Sequence, residues 1–275
     1  VELGQRFAAM GYAQIDPDRG WRELETLVSG QWADGMIPHI LFHKPDPGYF
    51  PGPEVWGGQG PIPSSGVTQP PIAATMARRV LATDPEAGRE RIAALFPKLL
   101  GWHRWFMAHR LDDRGAVCIT HPWEAGRDNA PDWDGAMKRI EPGEMEPYTR
   151  RDTGHVDASM RPTQWEYDRY VWLVKLGREA GWDQERLKEI NPFRVADPTM
   201  TFTLLRANRD LLAMGAELGL DTSEIPGWID RLEAGAESLW NPDLGAYDAR
   251  DVHAGDWAGC LSNASVLCWT AGVDP

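Results

Sequence analysis

With 275 residues the chain is long enough for one large domain or two modest ones, and a chain of that length buries roughly three quarters of its unfolded surface. Its 41 acidic and 28 basic residues give a net charge of −13, which excludes the broad cationic face that binding a phosphate backbone requires. The 14 Trp outnumber the 6 Tyr and 7 Phe together, and indole suits core packing, interfaces and the apolar faces of sugar rings alike.

In chain order, Leu3, Phe7, Met10 and Ala13 recur at helical spacing, and after Asp16-Pro17 the set Trp21, Leu24, Leu27 and Val28 does the same. Asp16 as N-cap and Pro17 in the first turn predict a second helix folded back on the first. Residues 33 to 66 then carry so much Gly and Pro that a regular helix is excluded, while the interleaved Tyr49, Phe50 and Trp56 exclude a disordered linker. A long ordered loop of this kind is usually functional.

Helical spacing resumes after Thr68-Gln69-Pro70-Pro71 (Ile72, Met76, Val80), with Thr68 or Gln69 expected as cap, and again over 86 to 111, where the apolar face runs through Pro97. Residues 112 to 160 form a second long irregular stretch with one short helix near 133 to 139. Helices are expected again at about 164 to 181, 198 to 218 and 224 to 239, and the apolar run from Trp257 to Trp269 reads as one more. Alternating strand patterns are almost absent. The expectation is an all-α chain of about seven or eight helices in sequential pairs, arranged as a barrel or toroid, with the two long loops at one mouth.

The densest polar segment is Trp123-Glu124-Ala-Gly-Arg127-Asp128-Asn129-Ala-Pro-Asp132-Trp133-Asp134. It supplies carboxyl groups for acid or base work, a cation to tune them and aromatic platforms; a solvated acidic loop capping the next helix is the competing reading. The helical Trp residues (Trp21, Trp102, Trp105, Trp165, Trp172, Trp228, Trp240) are expected in the core, and the loop set Trp32, Trp56, Trp123 and Trp133 at the site. Three scattered cysteines suggest reduced thiols, no run approaches the roughly eighteen apolar residues of a membrane span, and no His, Cys or carboxylate spacing suggests a metal or another cofactor. A cytoplasmic enzyme without cofactor fits this pattern best.

Glu124-Ala-Gly-Arg-Asp128-Asn-Ala-Pro resembles the acid-bearing segment of helical-barrel glycosidases of the family 63 type, and of its mannosylglycerate and glucosylglycerate hydrolase branch in particular. The likeness extends to Gly30-Gln-Trp32-Ala-Asp34-Gly-Met-Ile-Pro-His39, Tyr49-Phe-Pro-Gly-Pro-Glu54-Val-Trp56, Thr68-Gln69-Pro-Pro and His155-Val-Asp-Ala-Ser-Met-Arg161-Pro. It implies an (α/α)6 barrel, of which residues 1 to 275 form one partial catalytic domain, and inverting hydrolysis of a small α-glycoside such as glucosylglycerate or mannosylglycerate. Asp128 inherits the role of general acid. Trp32, Asp34, Tyr49, Trp56, Gln69, Trp123, Arg127 and Asn129 are the expected substrate contacts, with His155 and Arg161 behind them. Arg127 is expected either to lower the acid's pKa or to meet a substrate carboxylate, an ion pair with Glu124 or Asp132 being the alternative.

The family's general base sits in a Glu-bearing segment near the barrel's C-terminal end, which has no counterpart here; Glu54 and Glu166 are the carboxylates that could stand in for it. The barrel is therefore expected to lack its ends and to expose apolar surface open to self-association. Two other readings follow from the same residues: a non-catalytic carbohydrate-binding or interaction domain, and a toroid lyase or isomerase using His39, His121 or His155 as base.

Overall fold

The computed structural model describes residues 2–44, 46, 48–153 and 157–274; His155 lies outside them. Eleven α-helices occur among these residues. In order they are α1 (Glu2–Ala13), α2 (Pro17–Ser29), α3 (Pro53–Trp56), α4 (Ala73–Thr83), α5 (Pro85–His109), α6 (Asp134–Lys138), α7 (Gln164–Glu179), α8 (Gln184–Ile190), α9 (Pro198–Leu218), α10 (Ile225–Glu237) and α11 (Cys268–Ala271). Three of them, α3, α6 and α11, are one turn or little more, so the substantial helices agree with the number expected from periodicity. Asp16, Asp84, Thr163, Asp183 and Asp197 each cap a helix by accepting a backbone N–H, as short polar side chains do at an N-terminus.

The helices associate as the short corners require. α1 packs on α2, α4 on α5 and α9 on α10, while α4 joins the pairs by touching α1, α2 and α9. Pro97 lies within α5, yet Phe96, Leu99 and Trp102 on either side of it remain buried, so the apolar face continues past it. Residues 33 to 66 and 112 to 160 are long connections, as expected, although the first contains the single turn α3.

Several expectations are corrected. α8 follows residue 181 directly, where no helix was expected, because its seven residues present only Leu187 as a buried apolar side chain. α4 begins at Ala73 without a side-chain cap; Thr68 instead donates from its hydroxyl to the Ile37 carbonyl, and the Gln69 amide donates to the carbonyl of Trp123. In place of one helix over 257 to 269 there is irregular chain, a 3-10 turn at Asn263–Val266 and α11. Short strands also occur: β1 (Cys118–Ile119), β2 (Val195–Ala196), β3 (Trp240–Asn241), β4 (Ala246–Tyr247) and β5 (Arg250–Asp251). β2 lies between β1 and β5 in an antiparallel sheet, and β3 pairs with β4. Two residues are too few for the alternation that reveals a strand in sequence.

The core is rich in indole: Trp21, Trp56, Trp102, Trp105 and Trp133 are essentially without exposure. Trp165 departs from the expected packing role, being 43% exposed with the Arg169 guanidinium over its ring. In α1, Ala9 and Ala13 are buried while Phe7 and Met10 face outward, and Trp269 in α11 is 62% exposed. Among the described residues no helix is long and apolar enough to cross a membrane.

The corner between α7 and α8 shows how closely the indoles are fitted. Trp182 has φ of 58°, a left-handed conformation, and donates its indole N–H to the Trp56 carbonyl. Its ring lies between Gly66 and Gly177, where an added Cβ would come within 1.9 and 2.1 Å of ring atoms. Gly to Ala within a helix ordinarily stabilises by about 1 kcal/mol, whereas overpacking costs about 1–3 kcal/mol. Gly177→Ala should therefore lower stability by up to about 2 kcal/mol, against its helix propensity, as measured by the urea midpoint; a raised midpoint would show that Trp182 can move aside.

Candidate active site

The acid-bearing loop is built from its local sequence. His121 precedes a 3-10 turn at Pro122–Ala125, its Nδ1 accepting from the Trp123 backbone N–H. Its Nε2 donates to the carbonyl of Tyr170, and burial pushes its pKa down to about 3. Both ring nitrogens are thus engaged, which removes His121 as a base. Gly126 then takes φ of 67°, a conformation open to glycine at little cost, and turns the chain so that Arg127 and Asp128 follow on its far side.

Glu124 anchors this turn from beneath. Its carboxylate accepts from the Arg110 guanidinium at 2.7 Å and from the backbone N–H groups of Thr120 at 2.7 Å and Thr68 at 3.3 Å. Both charged side chains are nearly inaccessible, at 2% and 1% exposure. The carbonyl of Asp128 is held as well, by the Tyr170 hydroxyl at 2.9 Å and the Trp133 indole N–H at 3.2 Å. With its backbone tied at two points, the Asp128 side chain enters a cavity of about 390 Å³, within the range that small ligands occupy.

Both long loops contribute to that cavity: His39, Tyr49 and Phe50 from the first, Trp123, Asp128 and Asp152 from the second, with Arg161 and Tyr167 completing it. Burial raises the Asp128 pKa and the Arg161 cation partly opposes it. The Tyr49 hydroxyl is pushed up to about 12, first by burial and then by the Asp128 charge, so it stays protonated and able to donate. Asp152 accepts two bonds from Arg150, at 3.0 and 2.6 Å, and one from Arg161 at 3.3 Å. These cations hold its carboxyl below the ordinary range. The cavity therefore pairs a carboxyl whose pKa is raised with one whose pKa is lowered.

Trp123, Tyr49 and Asp128 share this cavity. Trp56 lies beneath it, fully buried, 5.7 Å from the Trp123 ring and donating to the Pro51 carbonyl; Gln69, also buried, supports the Trp123 backbone. Asn129 is exposed on a wider depression with Asp128, Arg161 and Ser262. Trp32 and Asp34 line a separate depression with His109 and Trp182 that shares no residue with the Asp128 cavity. Asp34 there accepts from the Met36 backbone and the Trp105 indole N–H. Arg127 is paired with Asp132 at 3.1 Å and Asp197 at 3.0 Å rather than with Glu124.

Sequence reasoning did not single out Asp152, Tyr167 or Tyr170 as site residues. The spacing of the two tyrosines on α7 was the available signal. Among the described residues, no group of three or more His, Cys, Asp or Glu could hold a metal.

Residues 4–275 match the family model described as the mannosylglycerate hydrolase MGH1-like glycoside hydrolase domain. The chain belongs to this family. Mannosylglycerate hydrolase MGH2 of Selaginella moellendorffii is 44% identical over 271 residues, which is 96% of this chain and 56% of that protein. Mannosylglycerate hydrolase of Thermus thermophilus is 43% identical over 273 residues, 97% of this chain and 66% of that one. Glucosylglycerate hydrolase of Mycolicibacterium hassiacum is 34% identical over 91% of this chain and 60% of its own length. The chain thus spans less than two thirds of the curated relatives it matches. The crystal structure of the GH63 mannosylglycerate hydrolase from Thermus thermophilus in complex with Tris superposes with a TM-score of 0.95 at 42% identity, covering 99% of this chain and 66% of that one. The helical-barrel fold of that family is therefore the fold of this domain.

The buried Glu124 and Arg110 pair makes the loop's stability testable. Removing one partner from a buried pair leaves the other charge uncompensated, typically at a cost of about 3–5 kcal/mol. Glu124→Gln should destabilise by that order in urea unfolding, and a loss below about 1 kcal/mol would mean that the pair does not anchor the loop.

Proposed function

We propose that this domain supplies the acid half of an inverting glycoside hydrolase whose substrate is a small α-glycoside of glycerate, glucosylglycerate or mannosylglycerate, with Asp128 as general acid. The observation that carries this reading is the state of Asp128: a carboxyl half-buried in a cavity of ligand size, its backbone tied by Tyr170 and Trp133 and its pKa raised by burial. A raised pKa keeps the proton available for transfer to the glycosidic oxygen as the bond to the anomeric carbon breaks. Trp123 and Tyr167 offer the apolar walls a sugar ring requires, and Tyr49 a hydroxyl donor.

The relatives named above supply the substrate class, and the charges here are compatible with it. Arg127 is already bonded to two carboxylates, so the cations available to a glycerate carboxylate are Arg151 and Arg161, which line the cavity, the latter with one bond of 3.3 Å to Asp152. Inversion needs a second carboxylate roughly 6.5–9.5 Å from the acid to activate water on the opposite face of the sugar. Neither candidate stand-in supports that role. Glu166 closes the capping box of α7 with Thr163, and Glu54 is exposed in an adjoining depression. The family pattern places the base in a Glu-bearing segment absent from these 275 residues.

In the intact enzyme, Asp128→Asn should lower kcat by about a thousandfold or more while leaving sugar binding by calorimetry nearly unchanged. Proton NMR of the parent reaction should show the inverted anomer first. Full turnover by the variant would remove Asp128 as the acid, a retained anomer would remove the inverting mechanism, and binding without any turnover by the parent would favour a carbohydrate-binding domain.

The pH profile gives an independent check. The acid works only while protonated, so kcat/KM falls as pH rises through the Asp128 pKa, and the Arg161 cation holds that pKa lower than burial alone would. Arg161→Gln should therefore move the alkaline limb to higher pH. A limb that stays in place or moves to lower pH would contradict the assignment.

A further inference from the structure

The general acid is followed by an exposed amide and preceded by an arginine, and an arginine beside an acid is chemically adverse. A guanidinium within about 4–6 Å of a carboxyl typically lowers its pKa by about 1–3 units, enough to strip the proton it must deliver. Yet Asp128 enters the cavity and Arg127 does not. Arg127 lines the wider depression beside Asp128, but its guanidinium is engaged there: one terminal nitrogen donates to Asp132 at 3.1 Å and to Ser262 and Asn263, both at 3.2 Å. The other donates to Asp197 at 3.0 Å. Asp132 and Asp197 are 5% and 0% exposed, and the Trp133 ring lies against the same guanidinium, 5.1 Å from its centre. Three separate segments converge on this one cation: the 3-10 turn at Pro131–Trp133, the N-terminus of α9, where Asp197 is the cap, and the turn at Ser262.

We propose that Asp132 and Asp197 are positioning residues that neutralise Arg127 and hold its guanidinium on themselves rather than on Asp128, so that the acid keeps its proton despite its sequence neighbour. The proposal rests on the reading of Asp128 as general acid and adds what preserves it in that state. The charged and titratable groups that do share the cavity with Asp128 are His39, Asp46, Tyr49, Arg151, Asp152 and Arg161, with Tyr167 on the wall. From α7, Tyr170 donates to the Asp128 backbone carbonyl, and the Asp128 charge acts on its hydroxyl. Of the cations, Arg161 acts on the Asp128 carboxyl; the Arg127 guanidinium is matched by the Asp132 and Asp197 carboxyl groups, and its charge opposes the rise that burial gives the Asp197 pKa.

The test is a double-mutant cycle read on the Asp128 carboxyl itself, by carbon-13 NMR of aspartate-labelled intact enzyme with Asp128→Asn identifying the resonance. Asp197→Asn keeps the cap, since Asn accepts at an N-terminus as well as Asp does, but removes the counter-charge. The Asp128 midpoint should fall by about one pH unit, and the alkaline limb of kcat/KM should move down with it. Arg127→Gln should raise the midpoint at least twice as far in the Asp197→Asn background as in the parent, because only there is the cation unmatched. Equal shifts in the two backgrounds, or a midpoint unmoved by Asp197→Asn, would overturn the proposal. If near-UV circular dichroism shows that Asp197→Asn does not fold, Asp132→Asn takes its place in the cycle. Full turnover by Asp128→Asn would remove the acid assignment alone, since the NMR cycle reads the clamp without reference to activity.

Discussion

The site depends on a charge pair that never meets solvent. Glu124 receives the Arg110 guanidinium from just beyond α5, the Thr68 amide from the end of the first long loop and the Thr120 amide from the start of the second. One carboxylate therefore ties Thr68, 56 positions earlier in the chain, to Arg110 and Thr120 beneath the cavity. Burying such a pair is not in itself stabilising, because desolvation offsets much of the attraction. What it supplies is definition: with both partners inside, neither loop can move without leaving a charge unpaired.

From that anchor the chain needs only one left-handed glycine and two hydrogen bonds to present Asp128. Gly126 reverses the direction, and Tyr170 and Trp133 hold the Asp128 carbonyl while its side chain stays free to meet a ligand. Fixing the backbone through its carbonyl separates position from protonation. Position follows from donors in the loop and α7. Protonation follows from burial, opposed by Arg161 within the cavity.

The indoles serve this arrangement more by filling than by touching a ligand. Trp56, buried under the cavity, meets His39, His121, Trp123 and Trp182 at ring separations between 5.7 and 6.4 Å. Trp182 in turn requires two glycines beside it. Of the four loop indoles expected at the site, Trp123 reaches the Asp128 cavity, Trp56 and Trp133 support it from within, and Trp32 packs elsewhere, its N–H on Ser64. An aromatic residue in a long loop signals an ordered loop, and both roles satisfy that signal.

Sequence by itself determined the long helices, whose 3.6-residue periodicity and Asp-Pro starts are local properties of Asp16, Asp84 and Asp197 and the residues that follow. The resemblance of the segment from Glu124 to Pro131 also singled out the loop whose Asp128 lines the cavity. Only the tertiary structure decided what Arg127 faces, which of Gln69, Trp56 and Asp34 approach the cavity, and that Asp152, Tyr167 and Tyr170 belong to the site. Those outcomes depend on partners up to 136 positions away, Asn263 and Asp197 for Arg127 and Pro51 and Trp182 for Trp56 among them. Helix periodicity reports which face of an element is buried, whereas a charge or an amide goes where a complementary group meets it, and that meeting exists only once the chain has folded.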